Sequence, residues 1–362
     1  MKANLPKSTL RNDCRNTCWL AAAAALFSLS SAASAQPFYR LESAVVLKGA
    51  APDWDYVTLD PVRSYLYIGR RGDGVMVYDV AAKKEVMTIE NSKGAGSIKL
   101  VPELDRGYTA NEDGSTTMFK LSTLKTLKRV QFGKDSDAVF YEPLTRQLVF
   151  TMGDSHALGF VDAGTGKVVG QLAMDSHKLD ASAPDGQGNL FVAERDKDRV
   201  AKVDVKRRKV AAEWNIDGCS QPTGLAFDST NQRIFIGCRG DKPVLAVMDS
   251  GTGKVVTTLP IGRGNDGVVF NAQSRQIYAS NGVDANLVIY AQVDANSYAL
   301  IEADTTRPYA RTMALDPKSG KVYTVTAEGA ADPAKKINTA VSAFYPNTYF
   351  DDTFTVLTYS RK

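Results

Sequence analysis

Apolar residues along this chain come in short bursts, and each burst ends at a turn rich in Gly, Asp, Asn or Ser. Segments 55–80, 137–162, 223–249 and 266–290 can be laid over one another. Each reads as an apolar strand, a polar turn, a second strand, a Gly/Asp loop and a third strand, with a fourth strand after it. The turn before that fourth strand recurs almost unchanged, as DAGTGKVV at 162–169 and DSGTGKVV at 249–256. No stretch of a dozen residues shows a 3.6-residue period, so helix should be nearly absent. One anchor per unit runs through the second strands: Leu66, Gly107, Leu148, Leu190, Ile234, Ile277 and Val322, spaced by 41, 41, 42, 44, 43 and 45 residues. Seven such units, with four strands each, match the blades of a β-propeller. Leu66 and Ile68 around Tyr67, and Ile234 and Ile236 around Phe235, suit strands buried on both faces between stacked blades. The expectation is an all-β, seven-bladed β-propeller with four-stranded blades.

The two ends of the chain complete the pattern. The last unit supplies first and second strands near 311–316 and 321–326, then FTVLTYS at 354–360 as a third, and lacks a fourth. FYRLESAVVLKG at 38–49 has an outer-strand pattern with no partners before it. Pairing the two in one blade closes the ring and removes an open edge.

The second strands end in YIGR at 67–70, YTAN at 108–111, YASN at 278–281 and YTVT at 323–326. These resemble the Tyr-Val-Thr-Asn repeat of the YVTN family, and the whole resembles exported YncE-like propellers. The resemblance implies the propeller fold over about residues 38–362, implies no established catalytic set, and brings nucleic-acid binding into consideration. Blade three departs from it with VFTM at 149–152, and blade five with FIGC, where Cys238 replaces Asn.

Charge is unevenly placed. The net +4 includes +3 from residues 1–35, where Lys2, Lys7, Arg11 and Arg15 face Asp13, so the remainder carries only +1. A nearly neutral body argues against a dedicated polyanion binder. The apolar run at 19–29 is too short to span a bilayer and is followed by Ala33-Ser34-Ala35. This is the pattern of a secretory signal over 1–35, cleaved near Ala35, with 36–362 as the mature propeller in a bacterial periplasm. Cys14 and Cys18 leave with the signal. Cys219 and Cys238 remain, either as one disulfide or as two buried thiols.

In a propeller, the connections from second to third strands and from one blade to the next share one face, around the central channel. The first set holds Arg70, Arg71, Asn111, Glu112, Asp154, His156, Glu194, Arg195, Arg239 and Asn281. The second holds Trp54, Asp55, Asp137, His177, Lys178, Asp180, Arg263, Asp266, Arg307 and Arg311. The ligand-binding candidates are Arg70, Arg71, Asn111, Arg195, Arg239, Asn281, Asp55, Asp137, His177, Asp266 and Arg311, because mixed Arg and Asp can orient a polar ligand through bidentate hydrogen bonds. The competing reading is that these residues pair with one another or solvate turns. Asp154, His156 and Glu194 are the candidates for a general base if the chain is an enzyme. Neither His has a second His at metal-ligand spacing in the sequence. With no HExxH, Walker, EF-hand, GxSxG or CxxCH pattern either, no metal or cofactor is expected.

Lys206-Arg207-Arg208-Lys209 forms the sharpest basic run and falls between third and fourth strands, on the opposite face. It reads as a solvated hairpin turn or as a phosphate or anionic-lipid contact. Trp54 and Trp214 read as blade packing or as base-stacking groups. The longest connection, 327–340, reads as a tolerated insertion or as a partner-contact loop over the ligand face. The leading expectation is a non-catalytic, monomeric scaffold that binds a protein or a small polar ligand at the channel mouth. A propeller lactonase or hydrolase is the first alternative, and nucleic-acid binding the second.

Overall fold

The computed structural model describes residues 38–50, 53–332, 334 and 346–361. The proposed signal segment, Cys14, Cys18 and half of the 327–340 connection lie outside the described residues. Seven four-stranded antiparallel sheets follow one another along the chain. Their inner strands are Val57–Asp60, Ala95–Val101, Ala138–Glu142, Leu179–Pro184, Pro222–Asp228, Asn265–Asn271 and Met313–Leu315. The second strands are Tyr65–Gly69, Arg106–Asn111, Gln147–Met152, Asn189–Glu194, Arg233–Cys238, Gln276–Asn281 and Val322–Thr326. Two single-turn 3₁₀ helices, Pro102–Leu104 and Arg195–Lys197, are the helices among the described residues.

Six of the seven anchors read from the repeat sit second in their strands, and Val322 opens its strand. Leu66, Leu148, Leu190, Ile234 and Ile277 are fully buried, each contributing about 1.5–3 kcal/mol of apolar burial. Gly107 is the exception that keeps the register. It pairs with Phe119 on the third strand, and a Cβ at Gly107 would lie 2.1 Å from that ring, so the Phe fills the volume that Leu takes elsewhere. The apolar clusters form between adjacent blades. One joins Trp54, Leu66 and Ile68 of blade one to Tyr323, Val325, Phe354 and Val356 of blade seven.

The ring closes as the sequence predicts. Tyr39–Val46 pairs antiparallel with Thr355–Arg361, from Tyr39 opposite Arg361 to Val46 opposite Thr355 with a register shift between Leu41 and Ser43, and becomes the outer strand of blade seven. The Arg361 guanidinium stacks 4.5 Å above the Tyr39 ring. In the other six blades the third-to-fourth pairing contains a one-residue register shift. Such a bulge adds twist. The DAGTGK and DSGTGK turns lead into two of these shifts, with Gly166 and Gly253 at φ +63° and +72°. A Cβ at Gly253 would also lie 2.1 Å from Trp214, so Trp214 packs on a glycine of the next blade.

The disulfide joins Cys219, in the connection from blade four to blade five, to Cys238, at the end of a second strand, with Cα atoms 5.5 Å apart. At the 327–340 connection, the described ends Gly329–Ala330 and Thr348–Tyr349 form a two-stranded ribbon.

Candidate functional site

Register decides which loop residues reach the channel. The position four past each anchor, last in its second strand or in blade one just after it, is buried between blades. It is held by Asn111, Met152, Glu194, Cys238 and Asn281, all fully buried, and by Arg70 and Thr326. Arg70 packs 3.8 Å above the Phe354 ring and donates to the Ala50 carbonyl at 3.0 Å. Asn111 donates to the Ser115 hydroxyl at 3.0 Å, and Asn281 to Asn286 Oδ1 at 2.8 Å. These Asn residues of the YTAN and YASN motifs therefore close their own turns. Glu194 forms an ion pair with Arg199. The next residue along enters the mouth, which brings in Arg71, Glu112, Arg195 and Arg239.

The opposing carboxylates come from the start of the inner strands. Asp266 occupies a bulge between the Asn265–Asn281 and Gly267–Ser280 pairs, and Asp180 sits inside a similar irregularity. A bulge re-aims a side chain that regular pleating would turn between blades. Blade two has Gly96 at its bulge, where a Cβ would stand 3.2 Å from Asp55 Oδ2, so the missing side chain makes room for the Asp55 carboxylate.

The result is a ring of alternating charge. Arg71 Nη2 lies 2.6 Å from Asp55, and the same guanidinium pairs with Glu112 and reaches Asp53 at 3.7 Å and Asp137 at 4.0 Å. Arg311 Nε lies 3.1 Å from Asp266, which also pairs with Arg239. Arg195 faces Asp180 at 3.6 Å. Tyr56, from blade one, carries its hydroxyl to 3.5 Å from Asp180 of blade four, across the channel. Thr312 of blade seven donates to the Asp55 carbonyl at 2.6 Å, which ties the ring shut at this face.

Burial displaces the titrations. Burial pushes Asp55 up to about 8, with Asp137 and Asp266 adding to it and Arg71 acting against it. Burial likewise pushes Asp180 up to about 7, helped by the charges of Asp266 and Asp137 and opposed by Arg195. Asp137 is raised by burial and by Asp266. Its side chain keeps 44% of its surface in the channel water, which moderates the effect. Asp55 holds the Arg71 guanidinium in its charged form. The Tyr56 phenol is raised by burial and then by Asp180 and Asp137.

Arg71, Arg195, Arg239, Arg311, Asp55, Asp137 and Asp266 are thus brought together, whereas Arg70, Asn111 and Asn281 are taken up inside the blades. Asp154, His156 and Glu194 enter separate surroundings: Asp154 is exposed, Glu194 is buried with Arg199, and His156 meets His177. Arg263 pairs with Asp284 at 2.7 Å, and Arg307 lines a 440 Å³ cleft of blade seven with Tyr309, Thr326 and Glu328. Trp54 is fully buried against Phe354 and Tyr349. Tyr56 escaped sequence reasoning because it alternates like any strand aromatic in Asp55-Tyr56-Val57-Thr58. Asp180 was visible only as one loop acid among many, although the Asp shared with Asp55, Asp137 and Asp266 ahead of an inner strand was a usable signal. On the opposite face Lys206 and Arg207 line an 810 Å³ groove, and Arg207 pairs with Asp204 at 2.7 Å.

Among solved structures, the chain is similar to a chain of the Kuenenia stuttgartiensis hydrazine synthase, with TM-score 0.67 and 14% identity over 86% of this chain and 96% of that one. It is also similar to a chain of a mitotic checkpoint complex, with TM-score 0.66 and 13% identity over 89% and 96%. At these identities the likeness defines the class, a seven-bladed β-propeller, and nothing narrower. No protein-family profile and no curated protein matches the sequence.

Proposed function

We propose that the chain is an exported, non-catalytic binding propeller of the YVTN, YncE-like kind, with residues 1–35 as a cleaved signal and 36–362 as the periplasmic scaffold. Its site is the channel mouth, and its ligand is a small polar molecule that carries a cationic group. The observation behind this reading is the ring itself, in which burial strips water from the Asp55, Asp137 and Asp180 carboxylates by more than the neighbouring Arg residues offset. Asp137 has its nearest cation only at 4.0 Å, and Asp180 at 3.6 Å. An ammonium or guanidinium entering between them replaces the lost hydration of these carboxylates, while Arg195 is placed to take an anionic group on the same ligand. The hydrolase reading receives less support, because Glu194 is committed to Arg199. The nucleic-acid reading loses weight because Lys206 to Lys209 lie on the face away from the mouth and Arg207 is paired.

The experiment is a thermal-shift screen at pH 8 with primary amines, zwitterions and carboxylates, since a ligand of the folded state raises its apparent stability. Amine-bearing compounds should raise Tm in the native chain and lose the effect in Asp137→Asn and Asp180→Asn. Stabilisation by carboxylates alone, or stabilisation that survives both substitutions, would overturn the proposal.

A further inference from the structure

The chain has two histidines, 21 positions apart, and folding places them in contact. His156 ends the turn between the second and third strands of blade three. His177 lies in the connection from that blade to blade four. Their ring centroids are 3.8 Å apart, with the planes at 64°. Neither ring has a hydrogen bond or an ion pair among the described residues, so each imidazole meets mainly the other.

The two loops are fixed independently of the rings. The Asp135 carboxylate accepts the amides of Asp154 and Ser155 at 2.7 and 3.0 Å. The Asp196 carboxylate accepts the Ser176 hydroxyl at 2.5 Å and the His177 amide at 3.0 Å. Both acids are thus occupied in holding loops. Gly153 lets the loops touch, since a Cβ there would lie 3.1 Å from the His177 carbonyl. His156 itself sits at φ +50°, with its carbonyl accepting the Met174 amide at 2.8 Å. The backbone therefore delivers two imidazoles to one place on the mouth face before any ligand arrives.

We propose that His156 and His177 form a two-imidazole site for a borderline divalent transition-metal ion, with copper(II) bound most tightly. Imidazole suits copper, nickel and zinc, and copper heads the affinity order for such donors. Among the described residues no group of three or more His, Cys, Asp and Glu side chains is arranged to hold a metal, so water or a donor from a bound molecule fills the remaining positions. Calcium and magnesium are not expected, because they need an oxygen cage. The imidazoles rotate on their side-chain bonds to turn one nitrogen each toward the ion. His177, the more exposed, moves further.

The test titrates copper(II) chloride into tag-free, chelator-treated protein, read by calorimetry and by electron paramagnetic resonance. One equivalent should bind, with nitrogen couplings from two imidazoles. His156→Asn, chosen because Asn tolerates the left-handed backbone, and His177→Asn should each weaken binding by an order of magnitude, and the double variant should abolish it while its circular dichroism and Tm stay native. Nickel and zinc should bind more weakly at the same residues. Failure of the native protein to bind copper at millimolar concentration would overturn the site. Equal binding by the folded double variant would do the same.

Discussion

Asp162, Asp204, Asp228, Asp249 and Asp316 cap turns at one end of the blades, whereas Asp55, Asp137 and Asp180 open inner strands at the other. The turn carboxylates accept hydrogen bonds from the residues that follow them, such as Thr165 N to Asp162 at 2.7 Å and Thr252 N to Asp249 at 2.9 Å. All five titrate below the usual range. At Asp162 the Thr165 hydroxyl is the largest cause, and at Asp204 the Arg207 amide. At Asp249 and Asp316 burial acts upward, but the hydrogen bonds of Thr252 and Ser319 outweigh it. The mouth carboxylates are displaced the other way, by burial and by one another. One residue type thus stabilises the turns and is held desolvated at the mouth. That contrast separates what the repeat uses for folding from what the proposed function assigns to a ligand.

The largest break in this contrast should come from Arg311→Met. Its side chain is 11% exposed and serves Asp266, Asp53 and the Trp54 carbonyl. Loss of a buried charge partner costs about 3–5 kcal/mol, measurable by urea unfolding. Arg207→Met at the turn face, with a side chain 79% exposed, should change stability by less than about 0.5 kcal/mol. Next comes Cys219→Ala with Cys238→Ala, which frees a mouth connection beside Arg239 and should cost about 2–4 kcal/mol in the same assay.

Asp180→Asn should act through pH. A carboxyl raised in the folded state keeps a proton that the unfolded chain releases, so its contribution is lost as pH rises from the ordinary carboxylate range to about 7. The variant should flatten that decline, by at most about 1.4 kcal/mol per pH unit. Asp249→Ala should cost about 1 kcal/mol at pH 7. Here the folded pKa is depressed, so the native advantage is present above the unfolded value and disappears as acid titrates the folded carboxyl.

The blades were legible because Leu66, Ile234 and their equivalents repeat at near-constant spacing, and because Phe354 to Ser360 lacked an outer partner that Tyr39 to Val46 could supply. Gly107 broke the pattern on paper, and only the facing Phe119 explains it. The turn Asp residues could be read from DAGTGK and DSGTGK. The site was half legible. Arg71, Asp137 and Asp266 stood in the right loops, yet Arg70 and Asn111 stood beside mouth residues and turned inward, since a one-residue step along a strand reverses the direction of the side chain. Tyr56 reaches blade four, and His156 meets His177, through a ring geometry that has no counterpart in local spacing.

Carbon-13 NMR titration of the Asp side-chain carboxyls, assigned with Asp180→Asn and Asp249→Ala, tests the contrast most directly. We expect Asp180 to titrate near 7, with Asp55 and Asp137 also above the ordinary range and Asp249 and Asp162 below it. A single common transition near the ordinary carboxylate value for both groups would contradict a mouth whose desolvated carboxylates await a cationic ligand.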